Sequence, residues 1–99
     1  MDRSHYQPSI YIMASQRNGT LYTGVTSNLL KRVYEHKFSE VKGFSKRHDC
    51  NLLVYYETAD TMRGAIVREK QIKAGSRKKK LLLIEAMNPQ WLDLYESLI

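Results

Sequence analysis

Four side chains in the N-terminal part of the sequence could bind a phosphate and move a proton: Tyr11, Tyr22, Arg32 and His36. The last three lie in one stretch, LYTGVTSNLLKRVYEH, at residues 21–36. A guanidinium offers planar paired donors to a phosphate, and an imidazole can donate or accept a proton near neutral pH. Tyrosines in strands are commonly half-buried aromatics, which gives the two phenols a structural interpretation as well. As a pair four residues apart, Arg32 and His36 indicate a site for a phosphate and a proton, while both interpretations of the two tyrosines stay open.

A β-hairpin is predicted to carry the two tyrosines. The segments SIYIMAS and TLYTGV both alternate, and the pair Asn18-Gly19 between them is a strong signal for a hairpin turn. A two-residue turn there would pair Ser15 with Tyr22 and place Tyr22 on the same face as Tyr11, about 13 Å away along the strand. A longer loop could bring the two phenols opposite each other.

The next element is predicted to be a helix that carries Arg32 and His36. Thr26 or Ser27 can cap this helix, which is expected to run from about residue 28 to residue 38. Its apolar arc is predicted to consist of Leu29, Leu30, Val33 and Tyr34. Arg32 and His36 are four residues apart and border this arc together.

The remaining chain predicts one more strand and two more helices. NLLVYYET, at residues 51–58, is rich in β-forming residues. Helices are predicted at residues 61–74 and 77–87, with Gly75-Ser76 between them and Asn88-Pro89 after the second. The amphipathic tail QWLDLYESLI is expected to pack back on the sheet. The predicted order is ββαβαα, which makes an α+β fold.

Glu69 interrupts the apolar stripe of the helix predicted at residues 61–74. The stripe consists of Met62, Ala65, Ile66 and Ile72. Removing a carboxylate from water costs several kcal/mol unless the group is paired, hydrogen-bonded or bound to a cation. Three interpretations are open: an ion pair with Lys73 worth about 0.3–0.5 kcal/mol, a hydrogen bond in the core, and a metal-binding or catalytic role.

Positive charge is concentrated in two parts of the chain. The sequence has 16 Lys and Arg against 10 Asp and Glu, a net charge of +6. Clustered cations suit a polyanion, and the residues predicted to bind nucleic-acid phosphates are Lys42, Lys46, Arg47, Arg68, Lys73, Arg77, Lys78, Lys79 and Lys80. The stretch SRKKK puts four cations in the first turn of a helix, where the dipole disfavours them, so a folding role is not expected there. The alternative is a solvated surface that favours solubility.

Length and composition restrict the classes of protein that remain. A chain of 99 residues with 42% apolar and 26% charged residues fits one small globular domain. Cys50 is the only cysteine, which excludes an intrachain disulfide or a thiolate metal site. No apolar run approaches the roughly 20 residues of a membrane helix, and the N-terminus has no apolar signal core. We expect a cytoplasmic domain at residues 9–94, with tails at 1–8 and 95–99.

Several short motifs occur in an informative order: IYI at 10–12, YTG at 22–24, LLKRVYEH at 29–36 and REKQIK at 68–73. In their order and spacing the chain resembles the GIY-YIG nuclease superfamily, and within it the small stand-alone YhbQ-like proteins related to the N-terminal domain of UvrC. The resemblance covers roughly residues 9–94. It implies a three-stranded antiparallel sheet flanked by helices. The first motif departs from the family pattern, since it reads Ile-Tyr-Ile where the family has Gly-Ile-Tyr.

The resemblance also implies a reaction and the residues that perform it. Tyr11, Tyr22, Arg32, His36 and Glu69 would converge on one scissile phosphate. The reaction would be phosphodiester hydrolysis with one divalent metal, magnesium or alternatively manganese, held by Glu69 and water. The metal would stabilise the leaving oxygen and Arg32 the non-bridging oxygens, while one of the two tyrosines would take the proton from the attacking water.

Three functional hypotheses follow. The first is a metal-dependent endonuclease for DNA, including structured or damaged DNA in repair or recombination, whose target is recognised by DNA structure or by a partner protein. The second is a catalytically weak module whose basic residues hold DNA or RNA. The third, an adaptor that binds acidic proteins through its basic surface, has no motif in its favour. None of the three involves a membrane.

Overall fold

The computed structural model describes residues 6–38 and 49–99. Its elements, in chain order, are β1 (Ser9–Ala14), β2 (Leu21–Thr26), α1 (Leu29–Phe38), β3 (Leu52–Thr58), α2 (Met62–Ala74), α3 (Arg77–Met87) and a short 3-10 helix at Leu94–Ser97. The α+β class and the order ββαβαα are confirmed.

The three strands form one antiparallel sheet in which β1 is central, in the order β2-β1-β3. Tyr11 pairs with Gly24, and Tyr22 pairs with Met13. Because alternate residues of a strand share a face, Tyr11, Met13 and Tyr22 lie on one side of the sheet. The prediction that the two phenols share a face is therefore confirmed.

The predicted register of the hairpin is wrong, because the loop has four residues and not two. Ser15 pairs with Thr20, whose carbonyl accepts from the Ser15 N–H at 3.0 Å, and residues 16–19 form the connection. Within it the N–H of Gly19 donates to the carbonyl of Gln16 at 2.9 Å, and Asn18 adopts a left-handed φ of 58°. The longer loop shifts Tyr22 by two positions along β1 relative to the predicted pairing with Ser15. It places Gly24, not Tyr22, opposite Tyr11.

Helices cover both faces of the sheet, so all six residues of β1 are buried. One face, here called the isoleucine face, carries Ile10, Ile12 and Ala14. It packs against α2 and α3 through Ala65, Ile72 and Ile84. The opposite face, here called the tyrosine face, carries Tyr11 and Met13. It packs against α1 through Leu29 and Val33.

Helix α1 has the predicted bounds to within one residue, but its cap and its rotation differ from the prediction. Asn28 caps it, since its side-chain oxygen accepts from the N–H of Lys31 at 3.1 Å, whereas Thr26 instead accepts from the N–H of Asn28 at 3.0 Å. The buried residues are Leu29, Val33 and His36, while Tyr34 is 54% exposed. The predicted arc is thus wrong at Tyr34, because the helix turns His36 towards the sheet instead.

Helices α2 and α3 have the predicted bounds, with Thr61 and Ser76 as their N-caps. Each cap side chain accepts a backbone N–H in the first turn of its helix, from Gly64 at 3.0 Å and from Lys79 at 3.2 Å. The buried residues of α2 are Ala65, Glu69 and Ile72. Ile66 is 39% exposed, so its predicted place in the apolar stripe is wrong.

Asn88 ends α3 and joins it to the rest of the fold. Its buried side chain donates to the carbonyls of Val54 and Leu92 at 3.2 and 2.8 Å and accepts from the N–H of Leu92 at 2.9 Å. The C-terminal tail then packs on the tyrosine face through Leu94, Tyr95 and Leu98, as predicted. Across the described ranges, no helix combines the length and apolar character that crossing a membrane would require.

Candidate active site

Tyr11 is held in place by the central strand and by the absence of a side chain at Gly24. The phenol ring crosses over Gly24 in β2, and a Cβ at that position would lie 2.5 Å from both Cζ and Oη of Tyr11. Any larger residue would collide with the ring. In this position the Tyr11 hydroxyl lies 2.8 Å from Nε2 of His36 on α1.

Tyr22 completes a cluster of three rings on the tyrosine face. Its ring centroid lies 6.3 Å from that of Tyr11 and 5.2 Å from that of His36. The rings of Tyr11 and His36 are 5.6 Å apart. Tyr11 is only 2% exposed and His36 only 9%, whereas Tyr22 is half-buried. The cluster therefore has two inner groups and one outer phenol.

Burial sets the protonation of the two inner groups. It raises the pKa of Tyr11, and the neighbouring Tyr22 raises it further, although the positive charge of Arg32 opposes both effects. Burial also lowers the pKa of His36, and the charge of Arg32 lowers it further. Near neutral pH the phenol is therefore protonated and the imidazole neutral, so the hydroxyl can donate to an unprotonated Nε2.

Arg32 borders this cluster from the surface of α1. Its side chain is 45% exposed, and Nε lies 3.7 Å from a carboxylate oxygen of Glu35 one turn later. At that exposure the ion pair is weak. The charge of Arg32 nevertheless acts on both Tyr11 and His36, which puts a guanidinium beside the phenol and imidazole pair.

Glu69 is buried as predicted, but its observed contact is the ion pair and not the phenols. Its side chain is 10% exposed, and its carboxylate lies 2.8 Å from Nζ of Lys73, which is 55% exposed. Glu69 is on the same side of α2 as Ala65 and Ile72, which pack on the isoleucine face. Glu69 therefore lies on a helix that packs on the isoleucine face, whereas Tyr11 and Tyr22 lie on the tyrosine face of β1 and β2, the two strands that α2 contacts. No group of three His, Cys, Asp or Glu side chains suited to a metal occurs within residues 6–38 and 49–99.

Two of the four cations at the start of α3 have intramolecular partners, so the expectation that they have no folding role is wrong. Arg77 donates to the carbonyls of Asn18 and Gly19 at 2.8 and 2.7 Å and ties α3 to the hairpin loop. Lys80 donates to the carbonyls of Lys73 and Gly75 at 3.2 and 2.8 Å, at the end of α2. The Lys80 contacts satisfy carbonyls at the end of α2, and the Arg77 contacts join α3 to the hairpin loop, so both cations gain partners that oppose the unfavourable dipole.

The other predicted phosphate-binding residues differ in their surroundings. Lys78 and Lys79 are exposed. Arg68 donates to Glu57 through Nε at 2.7 Å and through NH2 at 3.3 Å. Lys42, Lys46 and Arg47 lie outside the described residues.

Sequence reasoning missed the partners of Arg68 and the role of Gly24. Tyr55 also donates to Glu57, and burial with this contact raises the pKa of Tyr55 to about 12. Burial alone would raise the Glu57 pKa, but the bonds from Arg68 and Tyr55 outweigh it and hold that pKa below its ordinary value.

A glycine inside a strand commonly marks a close approach of another group, and this signal could have identified Gly24.

Comparisons with known proteins identify the family and support the fold. A family model described as the GIY-YIG catalytic domain matches residues 7–81. A UPF0213 protein of Staphylococcus saprophyticus is 40% identical over 84 residues, which are 85% of this chain and 96% of the relative. A UPF0213 protein of Haloquadratum walsbyi is 35% identical over 85 residues, 86% of this chain and 91% of that one. The solution NMR structure of a UPF0213 protein from Bacillus halodurans covers 88% of this chain and 92% of its own, with a TM-score of 0.54 and 22% identity, and it has the same fold.

Proposed function

The chain belongs to the GIY-YIG catalytic domain family, and on this premise we propose that it is a metal-dependent endonuclease that hydrolyses phosphodiester bonds in DNA. The observation that carries the proposal is the hydrogen bond between the Tyr11 hydroxyl and Nε2 of His36, with the Tyr22 ring against both. A buried phenol bonded to a neutral imidazole is suited to passing a proton.

Tyr22 is the residue that we assign to the attacking water. Tyr11 is too deeply buried to meet a substrate directly, whereas Tyr22 is half-buried on the edge strand β2, and its ring centroid lies 6.3 Å from that of Tyr11. Tyr22 is thus the outer group of the cluster, and Tyr11 and His36 are the inner pair joined by a hydrogen bond. This arrangement supports Tyr22 as the first acceptor of the proton.

The arrangement of the three groups suggests a balanced proton relay. As the water oxygen bonds to phosphorus, its proton passes to the Tyr22 oxygen, the Tyr22 proton to the Tyr11 oxygen and the Tyr11 proton to Nε2 of His36. The bond from phosphorus to the leaving oxygen breaks, and that oxygen takes a proton from solvent. The lowered pKa of His36 keeps Nε2 unprotonated at the start, while Arg32 stabilises the charge on the non-bridging oxygens.

Glu69 fits a magnesium ion only as a single protein ligand. Magnesium prefers oxygen ligands and is commonly held by one or two carboxylates, several waters and substrate phosphates. One nearly buried carboxylate whose partner is an exposed lysine meets that minimum, since Lys73 can turn into solvent. When bound, the metal would act as a Lewis acid on the leaving oxygen. We therefore propose that the metal binds weakly until DNA supplies further oxygens.

The second candidate function is the catalytically weak nucleic-acid-binding module. It is favoured by the ion pair with Lys73, which accounts for the buried Glu69 without a metal. Under this alternative the basic residues bind DNA or RNA, and the phenol and imidazole cluster contributes only to packing.

Cleavage of labelled DNA with and without a divalent metal separates the two functions. Branched, duplex and single-stranded DNA of the same sequence would be incubated with the protein in magnesium, in manganese and in chelator, and binding to each would be measured in chelator. The endonuclease proposal expects cleavage of at least one substrate that stops when metal is removed. Binding without cleavage in either metal would support the binding module and contradict the proposal.

A further inference from the structure

We propose that the groove between α2 and α3 is a docking site for an acidic amphipathic helix of a partner protein. The groove has a volume of about 380 Å³ and lies between the C-terminal half of α2 and α3. Ile72 and Leu83 are among its apolar lining residues. Leu82, at its edge, is 61% exposed although it is a leucine on a helix that packs against the core.

The lining of the groove carries positive charge. Three of its lining residues are cations: Arg68, Lys79 and Lys80. Glu57 forms an ion pair with Arg68 and offsets its charge, whereas Lys80 is held by the carbonyls at the end of α2 and Lys79 is exposed. None of the described residues that line the groove is a carboxylate. A partner with negative charges around an apolar stripe would therefore meet the positive charges of Lys79 and Lys80.

The chemistry of the groove favours a peptide over a nucleic acid. Single-stranded nucleic acids bind by stacking bases on aromatic rings, and no aromatic residue is found among the described lining residues. An exposed leucine gives a phosphate backbone no favourable contact. An amphipathic helix, in contrast, places apolar side chains in a groove between two helices and can direct acidic side chains to its rim.

The groove lies across the sheet from the phenols and the imidazole, although α2, which carries Glu69, forms one of its walls. Helices α2 and α3 pack on the isoleucine face, whereas Tyr11, Tyr22 and His36 lie on the tyrosine face. A partner bound in the groove would leave the phenols accessible. Such a partner would bring this protein to a DNA target without covering the phenols. The inference does not depend on the nuclease proposal, because binding at the groove requires no catalysis.

The test uses fluorescence anisotropy with three labelled probes and the full-length protein. The first is a helical peptide of about 18 residues with leucines on one face and glutamates on the others. The second has the same leucines with lysines in place of the glutamates, and the third is an oligo-dT strand in chelator. We expect saturable binding of the acidic peptide with a Kd of about 1–100 µM, and binding of the basic peptide weaker by at least about 10-fold.

Two pairs of matched variants locate the binding site. Leu82→Asp should raise the Kd of the acidic peptide by about 10-fold or more. Leu92→Asp is the control, since Leu92 has a similar exposure (63%) but does not line the groove, and it should change that Kd by less than about twofold. Lys79→Glu should raise the Kd of the acidic peptide by about fivefold or more. Lys78→Glu changes a neighbouring lysine that does not line the groove, so its effect on that Kd should be smaller. Circular dichroism of each variant checks that the fold is intact.

Several results would overturn the proposal. The first is a Kd for the acidic peptide above about 1 mM, and the second is equal binding of the acidic and basic peptides. The third is an equal effect of Leu82→Asp and Leu92→Asp. If Leu82→Asp weakens the binding of oligo-dT as much as the binding of the acidic peptide, the groove belongs to a nucleic-acid surface and the peptide assignment is wrong.

Discussion

The two faces of β1 are equally buried but differ in chemistry. Ile10, Ile12 and Ala14 on the isoleucine face are 0% exposed and carry no polar side-chain atom. Tyr11 on the tyrosine face is 2% exposed, yet its hydroxyl is bonded to a buried imidazole. Burial alone therefore does not distinguish a core from a site. The distinction lies in polar atoms that the fold holds in a fixed geometry away from water, where their pKa values shift.

The largest expected effect on stability comes from the isoleucine face. Ile12→Ala should lower the free energy of unfolding by about 2–5 kcal/mol, because it leaves a cavity in a closely packed core. Cleavage per folded molecule should stay within about twofold of the parent. Urea denaturation and cleavage at low denaturant measure the two quantities. A large loss of cleavage per folded molecule would show that the two faces are not separate in function.

A methyl group at Gly24 should affect stability and chemistry together. Gly24→Ala introduces a Cβ 2.5 Å from the Tyr11 phenol, so we expect a loss of about 1–3 kcal/mol in unfolding free energy and a displaced hydroxyl. Cleavage per folded molecule should therefore fall as well. Gly64→Ala is the control, because its nearest neighbour is a threonine oxygen at 3.3 Å, and stability there should change by no more than about 1 kcal/mol. An unchanged cleavage rate in Gly24→Ala would mean that the position of Tyr11 is unimportant.

Glu69→Gln separates a metal ligand from a structural ion pair. If Glu69 holds the metal, the variant should lose magnesium-dependent cleavage. Its free energy of unfolding in chelator should stay within about 0.5 kcal/mol of the parent, because removing a nearly buried anion offsets the loss of a partly exposed ion pair. Lys73→Gln breaks the same ion pair and keeps the carboxylate, so its cleavage should fall far less. A Glu69→Gln protein that melts earlier and still cuts would exclude the ligand role.

The smallest expected effect is on the pH dependence of stability. The pKa of His36 is lowered in the folded state from its ordinary value of 6.5, so below pH 6.5 the unfolded chain binds the proton more readily. The contribution of His36 to stability is therefore complete above pH 6.5 and decreases as the pH falls towards the lowered value. Thermal melts from pH 7.5 to 5 should show a smaller loss for His36→Gln than for the parent. An equal loss of melting temperature with falling pH in His36→Gln and in the parent would contradict a lowered pKa of His36 in the folded state.

Part of this organisation could be predicted from the sequence, and the remainder depends on contacts between distant residues. Alternation along β1 and β2 placed Tyr11 and Tyr22 on one face, and the interrupted stripe of α2 identified Glu69 as buried. The hairpin register could not be predicted, because it depends on which loop residue adopts a left-handed φ, and Asn18 does so within a four-residue loop. The rotation of α1 could not be predicted either, since burial of His36 depends on a hydrogen bond to a residue 25 positions earlier.

The central claim is that the phenols of the tyrosine face carry out chemistry and do not merely fill space. Tyr56 offers the matched control, because it pairs with Tyr11 across the sheet and packs on the same face. Single-turnover cleavage of labelled DNA in magnesium would be compared for Tyr22→Phe, Tyr11→Phe and Tyr56→Phe, with binding measured in chelator. We predict that Tyr22→Phe cleaves about 100-fold more slowly or worse, that Tyr11→Phe is also slowed, and that Tyr56→Phe stays within about twofold, while all three bind DNA like the parent. Equal cleavage rates for Tyr22→Phe and Tyr56→Phe would contradict the account.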